Sequence, residues 1–413
     1  MSTLPATQRN ELQRLLWWSL GVGVVALVVC IIGAPFSPIQ FFRAYLAAYQ
    51  FYLGIALGSL AIFMLYQLTG GAWGFLIRRI VEAATRTLPV LAVLFLPIAI
   101  GVRFIYPWGQ PELVASSPEL KYNHMYLNVP FWWIRAALFF ALWLALSAML
   151  SLWSRQQDRT GEPHLPRKFR LLSAPGLIIY GVTITFASID WVMSLQPEFH
   201  STIFAPEFAT GQLVTAHAFA VIVLAWLVRQ PPLANIISRE TLNDVGNMLL
   251  TFLVIWAYMV FFEFMLSWIG NLPAENAWFI PRARNGWQWV ARAIFVFHFA
   301  VPFFCLLMRN IKRDPRALGG VAAIIFFMHL VFLYFQVMPG APDVPGVPGT
   351  RIGTHWMDFL MPFAIGGIWL AYFLWQLSRY PVLPRHDLNL VEAARLRESE
   401  EEEVAREEAL HHG

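Results

Sequence analysis

Charged residues are scarce in this sequence. Only 13% of its 413 residues are Asp, Glu, Lys or Arg, whereas 58% are hydrophobic and 18 are Trp. Soluble globular domains carry about 25% charged residues. The composition therefore excludes the soluble globular class and predicts a membrane protein that crosses the bilayer several times.

Cysteine and metal-ligand patterns are also nearly absent. The two cysteines, Cys30 and Cys305, lie in separate apolar runs, and neither belongs to a CxxC motif or a Cys/His cluster. Cys-ligated iron–sulfur and structural zinc sites need such clusters. A Gly-rich phosphate loop and a nucleophile triad are missing too. We therefore expect no metal site and no bound redox cofactor in this chain, and no nucleic-acid partner.

Apolar runs of about 20 residues, the length that crosses the hydrocarbon core of a bilayer, occur ten times. They predict an all-α polytopic membrane protein with ten transmembrane helices, near residues 15–33, 44–68, 88–106, 131–153, 173–194, 209–228, 246–268, 289–308, 318–338 and 357–375. The first run lacks a small-residue cleavage site. We therefore expect a retained span there rather than a signal peptide.

The basic residues are distributed unequally between the two sides of these spans. If the N-terminus is cytoplasmic, the cytoplasmic segments hold 21 Lys and Arg residues and the opposite loops hold 5. Basic residues concentrate in cytoplasmic loops, so both termini are predicted to be cytoplasmic. The expected organisation is a cytoplasmic N-terminus over 1–14, a membrane domain over 15–378 and a tail over 379–413.

The loops differ in character between the two sides. The outer loops at 107–130, 269–288 and 339–356 are rich in Pro, Gly and Trp and poor in charge, which favours surfaces shaped for a partner. The cytoplasmic tail instead carries an acidic run at 400–403. A solvated helix, a disordered tail and an electrostatic contact with a cytoplasmic neighbour are all compatible with that run.

A faint internal repeat has an offset of 157 residues. It matches Trp132, Arg135, Ala136 and Phe140 with Trp289, Arg292, Ala293 and Phe297. The same offset places span three on span seven and overlaps span two with span six. The repeat predicts two four-helix bundles of equal orientation, spans two to five (about 44–194) and six to nine (about 209–338), with spans one and ten flanking them.

Ionisable residues gather at the outer ends of the spans, above all in SIDWVMSLQPEFHSTIF at 188–204, where Asp190 ends a long apolar run. A carboxylate inside a membrane is a functional-site hypothesis by default. The residues predicted to lie in the outer half are Arg103, Arg135, Asp190, Glu263, Arg292 and Asp358, with His217 about 12 Å below the outer end of its helix at 1.5 Å per residue. Two interpretations stay open. One is a network of interhelical ion pairs, and the other is a pocket for a polar headgroup with proton-accepting groups.

Histidines occur singly in the middle of the membrane. His298 and His329 lie near the centres of spans eight and nine, and the inner half otherwise offers mostly hydroxyl groups. Ligation of haem b by two histidines needs imidazoles that face each other from different helices. Haem ligation is therefore an alternative to ordinary buried, hydrogen-bonded histidines.

Three motifs together resemble the NrfD/polysulfide-reductase superfamily. They are DWVMSLQPEFHSTIF at 190–204, SWIGNLPAENAWFIPR at 267–282 and HFAVPFFCLLMRNIKRDP at 298–315, and the resemblance spans all ten helices. The chain is most similar to the smaller NrfD-like membrane subunit of bacterial alternative complex III, a quinol:electron-acceptor oxidoreductase. Members of that family have two four-helix bundles plus flanking helices and carry no redox centre.

The resemblance implies a role in an electron-transport chain of the bacterial inner membrane. The expected partners are a larger homologous membrane subunit, an iron–sulfur subunit, multihaem and monohaem cytochromes c, and membrane lipids. Quinol or menaquinol is expected to bind mainly in the larger homologue. Carried over by motif, the candidates for a proton route or quinol-headgroup pocket are Asp190, His217, Glu263, Asn271 and Arg292, to which we add His298 and His329. A secondary transporter and a haem b anchor are the alternative functions.

Overall fold

Ten long apolar helices make up the chain. The structure is a computed structural model that describes residues 6–162, 164–228, 237–339 and 355–381. Within those ranges, spans 1 to 10 are Ala6–Gly33, Pro38–Thr69, Ala72–Ile100, Val129–Thr160, Leu165–Trp191, Phe204–Leu227, Arg239–Gly270, Trp287–Leu307, Pro315–Val337 and Trp356–Ser378. Each span is long and apolar enough to cross a membrane, and all regular secondary structure in the described ranges is helical. The predicted class, an all-α multi-pass membrane protein, is confirmed.

The connections at the two ends of the spans differ, and we call the ends the outer and inner faces after the predicted orientation. The outer connections hold the short helices Ala34–Phe36, Val102–Ile105, Pro107–Gly109, Pro111–Ser116, Pro118–Asn123, Met193–Leu195 and Pro273–Arg282. Several of them begin at Pro, whose fixed φ suits the first helical position. Among the inner connections that the structure describes in full, the one at 70–71 is a tight turn and the one at 308–314 holds a short helix, Arg309–Arg313. The predicted outer loop at 339–356 and the acidic tail lie almost entirely outside the described residues.

Span 2 lies at the centre of the molecule, where it contacts spans 3, 5, 6, 9 and 10. Spans 2 and 6 cross at Gly58, because a Cβ atom on Gly58 would lie only 2.1 Å from the carbonyl oxygen of Gln212. Glycine is therefore required for this close backbone approach. The division into spans 2–5 and 6–9 stays a prediction, but the crossing at Gly58 joins the two predicted units directly.

The two predicted flanking helices, spans 1 and 10, pack against each other along their length. Their backbones meet at Gly23 and Gly367, where a Cβ atom on Gly23 would lie 2.9 Å from the Cα atom of Gly367. Small residues at such a crossing let membrane helices approach closely. The rest of span 1 is largely exposed and apolar, as expected of a helix that faces lipid.

Span 3 is interrupted rather than continuous. Its helical segments end near Thr85 and Leu94, where prolines remove backbone donors. Two tyrosines of span 2 donate to carbonyl groups of this region, Tyr45 to Leu94 at 2.7 Å and Tyr49 to Leu91 at 2.8 Å. Backbone groups inside a membrane must find partners within the protein. The tyrosines therefore stabilise the broken helix against span 2.

Candidate functional site

Asp190, the acid at the centre of the sequence prediction, is fully buried and forms a two-pronged ion pair with Arg135. Arg135 Nε donates to Asp190 Oδ2 at 2.7 Å, and Arg135 Nη2 donates to Oδ1 at 2.8 Å. The parallel geometry of such a pair satisfies both carboxylate oxygens. This ion pair therefore fixes the outer end of span 4 against that of span 5.

Arg135 and the backbone of Asp190 also have partners beside this ion pair. The third guanidinium nitrogen, Arg135 Nη1, donates to the carbonyl of Tyr126 at 3.0 Å, and the Tyr126 ring lies 3.9 Å from the guanidinium carbon. The Trp132 indole donates to the carbonyl of Asp190 at 3.2 Å. With every charge partnered, the arrangement matches the ion-pair interpretation and has the character of a structural lock.

Three other residues of the predicted outer network do not join it. Arg292 is exposed and lies over the Trp289 ring, 4.4 Å from its centroid, so it is not a partner of Asp190. Arg103 is exposed and forms no ion pair with any described residue. Asp358 is half-buried and accepts a hydrogen bond of 2.6 Å from Gln40 Nε2. The predicted single ion-pair network in the outer half is therefore wrong. Side chains at a similar depth in the membrane need not touch when they lie on different helices.

Glu263 belongs to a second buried cluster, together with a carboxylate that the sequence analysis missed. Glu207 on span 6 interacts with Glu263 on span 7, and Arg282 lies within electrostatic range of both. Glu207 Oε1 accepts a hydrogen bond of 2.6 Å from Gln336 Nε2, whereas Glu263 Oε1 is buried without a hydrogen-bond partner among the described residues. We call Glu207, Glu263, Arg282 and Gln336 the carboxylate cluster.

Arg282 anchors the carboxylate cluster from the outer helix Pro273–Arg282. Its guanidinium donates to the carbonyl groups of Phe335 at 3.1 Å and Gln336 at 2.5 Å, and stacks 3.4 Å from the Trp278 ring centroid. Burial lowers the pKa of Arg282 well below its ordinary value, and the nearby carboxyl groups of Glu263 and Glu207 act in the opposite direction. The guanidinium is thus held in place largely by neutral carbonyl groups.

The charge balance of the carboxylate cluster favours one proton bound between its two carboxyl groups, Glu207 and Glu263. Two ionised carboxylates beside one guanidinium leave a net negative charge in a buried site, where unpaired charge is costly. Carboxyl groups that share a site resist ionising together. The cluster is electrically neutral when the Glu207–Glu263 pair carries one proton, so this pair is a natural place to take up and release a proton.

His298 and His329, which the sequence shows as isolated residues, face each other in the structure. Their ring centroids lie 5.3 Å apart, and the Trp256 ring packs 4.0 Å from His298. His298 lies in a π-helical stretch, Ile294–Ala300, within span 8. Such stretches are rare and are frequent at functional sites. Both ring nitrogens of His298 and Nδ1 of His329 are buried without a hydrogen-bond partner among the described residues.

The remaining two candidates lie apart from these clusters. His217 is buried near Trp73 and hydrogen-bonds through Nε2 to the carbonyl of Val245 at 3.0 Å. It lies about 20 Å from the start of span 6, deeper than the predicted 12 Å, because that helix begins at Phe204. Asn271 is exposed and ends span 7 in a left-handed conformation with φ of 47°, accepting a hydrogen bond from Asn276. Its observed contacts are those of a helix cap.

The inner half holds a further network, contrary to the expectation of mostly hydroxyl groups. Glu82 accepts from Arg78 at 3.0 Å, from Arg79 at 2.8 Å and from Arg86 at 3.2 Å. Arg79 also pairs with Asp158 on span 4. The low local hydropathy of these charged residues predicts a loop, but the helix of span 3 begins at Ala72. These ion pairs, together with hydrogen bonds from Arg78 to Gln157 and from Arg79 to Ser154, let the charged groups lie inside the protein.

Two sequence signals would have pointed to the missed acid and its partner. Glu207 lies two residues before the predicted start of span 6, within the usual error of such boundaries. Arg282 ends one of the three motifs, SWIGNLPAENAWFIPR, but was counted as a loop residue. In the described part of the chain, no group of three or more His, Cys, Asp or Glu side chains is placed to hold a metal ion.

Comparison with known proteins adds no family assignment. A scan against models of protein families and a search of curated protein sequences both found no match to this chain.

Proposed function

We propose that this protein is an integral-membrane subunit of a quinol-oxidising electron-transport complex of the alternative complex III type. In that complex it contributes to proton movement and assembly and holds no redox centre of its own. The main quinol site lies in a larger homologous subunit. The chain lies in the bacterial inner membrane with both termini in the cytoplasm.

The carboxylate cluster is the observation that carries the proposal. Ionisable groups within membrane spans mark proton or substrate pathways when they are not locked in saturated pairs. Asp190 is locked in this way, whereas Glu263 keeps a buried oxygen without a described partner. A group that moves protons must exist in both protonation states, and a pair that holds one proton meets that requirement.

The outer surface supports a role within a larger assembly. Tyr122 and Met125, in the connection between spans 3 and 4, are 88% and 92% exposed. Large apolar side chains exposed outside a hydrocarbon core favour contact with another protein. The three motifs that resemble the family indicate which partners to expect there: the larger membrane subunit, the iron–sulfur subunit and the cytochromes c.

The transporter alternative has less support. Transporters with repeated halves bind substrate where helices are broken at corresponding positions of the two halves. Here the interruptions lie in span 3 and in the π-helical stretch of span 8, whereas the offset of 157 residues relates span 3 to span 7. The interruptions are therefore not repeat-related.

Purification from the host in a mild detergent tests the proposal. An affinity-tagged chain should be recovered with the larger homologue, an iron–sulfur protein and c-type cytochromes, identified by mass spectrometry and haem staining, and the preparation should oxidise quinol. Recovery of the chain alone would contradict the proposal and favour the transporter. Haem that remains with the isolated chain would instead favour the haem b anchor.

A further inference from the structure

A narrow internal cavity lies between spans 2, 6 and 9. Gln50, Glu207, Gln212 and His329 supply its polar lining, and Phe51, Gly54, Phe208, Gly211, Thr215, Phe332 and Leu333 supply the rest. It offers about 10 Å³ to the centre of a water molecule. A cavity needs roughly 10–15 Å³ by this measure to hold one water. The size therefore fits a single water molecule and nothing much larger.

The internal repeat places related residues on the wall of this cavity. The offset of 157 residues pairs Gln50 with Glu207, and it pairs the neighbours Phe51 and Gly54 with Phe208 and Gly211. All six residues line the cavity. The cavity thus lies where span 2 meets its repeat-related helix, span 6. Span 2 carries a neutral amide, Gln50, at the position where span 6 carries an acid, Glu207.

Several polar atoms on the cavity wall have no protein partner. Neither side-chain polar atom of Gln50 forms a hydrogen bond with a described residue, and the same holds for Gln212 Nε2. Gln212 is fixed at its other end, where Oε1 accepts from the Tyr180 hydroxyl at 2.9 Å. These side chains are almost fully buried. Buried polar groups left unsatisfied by protein are the usual partners of an ordered internal water.

We propose that Gln50, Glu207, Gln212 and His329 bind one ordered water molecule in this cavity, and that this water carries protons between Glu207 and His329. The inference rests on the proposed function, because it supplies a connection between the carboxylate cluster and the His298–His329 pair. It makes this cavity the inward continuation of the path from Glu263 and Glu207.

The transfer is balanced at each atom. The protonated Glu207 carboxyl gives its proton to the water oxygen, while the water gives one of its own protons to Nε2 of His329. The products are the Glu207 carboxylate and the His329 imidazolium, and the water is regenerated without oxidation or reduction. The ring edge with Cε1 and Nε2 is the part of His329 that lies nearest Gly211 on the cavity wall. Gln50 and Gln212 orient the water and do not themselves exchange protons.

The direct test is a high-resolution cryo-electron microscopy map of the assembled complex. The inference predicts a density peak in the cavity at hydrogen-bonding distance, roughly 2.7–3.2 Å, from Gln50 and Glu207. A collapsed or empty cavity would overturn it. A peak with shorter contacts to oxygen atoms only, and turnover that depends on sodium, would overturn it as well, because the site would then hold a cation.

Two variants test the relay without removing a titratable group. Gly211→Ala places a Cβ atom 2.7 Å from His329 Cε1, so the His329 ring must shift away from its position at the cavity, and Gln50→Leu removes the amide that orients the water. Each should lower the rate of proton movement in proteoliposomes by roughly 100-fold, the lower end of what a positioned proton carrier contributes to a rate. Gly320→Ala is the matched control, since its Cβ atom would have no neighbour within 4 Å.

Glu207→Gln separates failure of the relay from failure of the proposed function. If Glu207→Gln lowers proton movement while Gly211→Ala and Gln50→Leu match Gly320→Ala, the water relay is wrong and the proposed function stands. If Glu207→Gln leaves proton movement unchanged, the role in proton movement that we propose for the carboxylate cluster fails, and the relay with it.

Discussion

The two halves that the sequence repeat predicts, spans 2–5 and 6–9, treat buried charge in opposite ways. In the first half, Asp190 and Arg135 form a two-pronged pair with every charged atom engaged. In the second half, Arg292 occupies the position that the repeat relates to Arg135, yet it is exposed. The buried acids there are Glu207 and Glu263, which lie within electrostatic range of the Arg282 guanidinium, and Glu263 keeps an oxygen without a described partner.

This difference shows that burial alone does not separate a structural charge from a functional one. A saturated pair resists a change of protonation, because losing either charge leaves the other uncompensated. In a cluster with an unpartnered oxygen, the protonated and ionised forms of the carboxyl groups lie closer in energy. Such a cluster therefore gains and loses a proton more easily. The ion pair of the first half therefore has the properties of a structural contact, and the carboxylate cluster of the second half has those that we propose for a proton-exchange site.

The largest expected effect comes from removing the ion pair between Asp190 and Arg135. Asp190→Ala leaves Arg135 buried and unpaired, which should destabilise the protein by about 3–5 kcal/mol. We expect a marked loss of assembled protein, measured by quantitative blotting and by the fraction that stays monodisperse after heating in detergent. Replacing both residues by apolar side chains of similar size should recover part of the loss. A double variant that is additive with the single ones would show that the two residues are not coupled.

A smaller but clear effect is expected where the two halves meet. Gly58→Ala places a Cβ atom 2.1 Å from the Gln212 carbonyl oxygen, so spans 2 and 6 must separate. We expect a loss of about 1–3 kcal/mol, the range for overpacking, measured by thermal stability in detergent. Gly181→Ala is the control, since its Cβ atom would have no neighbour within 4 Å. Equal stability of the two variants would contradict the close crossing.

The smallest effect is expected at the repeat-related arginine of the second half. Arg292→Ala removes an exposed side chain that lies over Trp289, so the stability change should be within about 0.5 kcal/mol. The measurement is the same thermal assay, run beside Arg135→Ala. If the two alanine variants lose equal stability, the proposed contrast between the halves is wrong.

The predicted orientation of the spans in the membrane can be tested by labelling. Single cysteines at Ser201 and Gly161, placed in a background without Cys30 and Cys305, lie in connections at opposite ends of the spans. An impermeant thiol reagent should label Ser201 from the periplasmic side and Gly161 only after the membrane is opened. Labelling of both positions from one side would contradict the ten-span topology.

The sequence predicts the ten spans because their long apolar runs are required to cross hydrocarbon. It fails at the first turns of span 3, where Arg78, Arg79 and Glu82 lower the hydropathy of a segment that is nevertheless buried. Hydropathy scores each residue by itself and does not register that one glutamate, Glu82, pairs with three arginines within two turns of the helix. The start of span 3 was therefore placed some 16 residues late, at 88 rather than Ala72.

The candidate site was harder to predict than the fold. Depth along a helix placed Arg103, Arg135 and Arg292 at one level, but the partner of Asp190 depends on helix rotation and neighbours, which the sequence does not specify. The pairing of His298 with His329 depends on a π-helical stretch that has no periodicity signal of its own. The repeat offers a signal for Glu207, because the offset of 157 residues aligns it with Gln50 of span 2.

Proton movement by a Glu207→Gln variant of the assembled complex tests the central claim most directly. The substitution keeps the size of the side chain and its hydrogen-bonding capacity towards Gln336 but removes the exchangeable proton. With subunit content and haem content unchanged, we expect the rate of proton movement in proteoliposomes to fall by roughly 100-fold or more. Wild-type proton movement in that variant would contradict the assignment of the carboxylate cluster as the proton-exchange site.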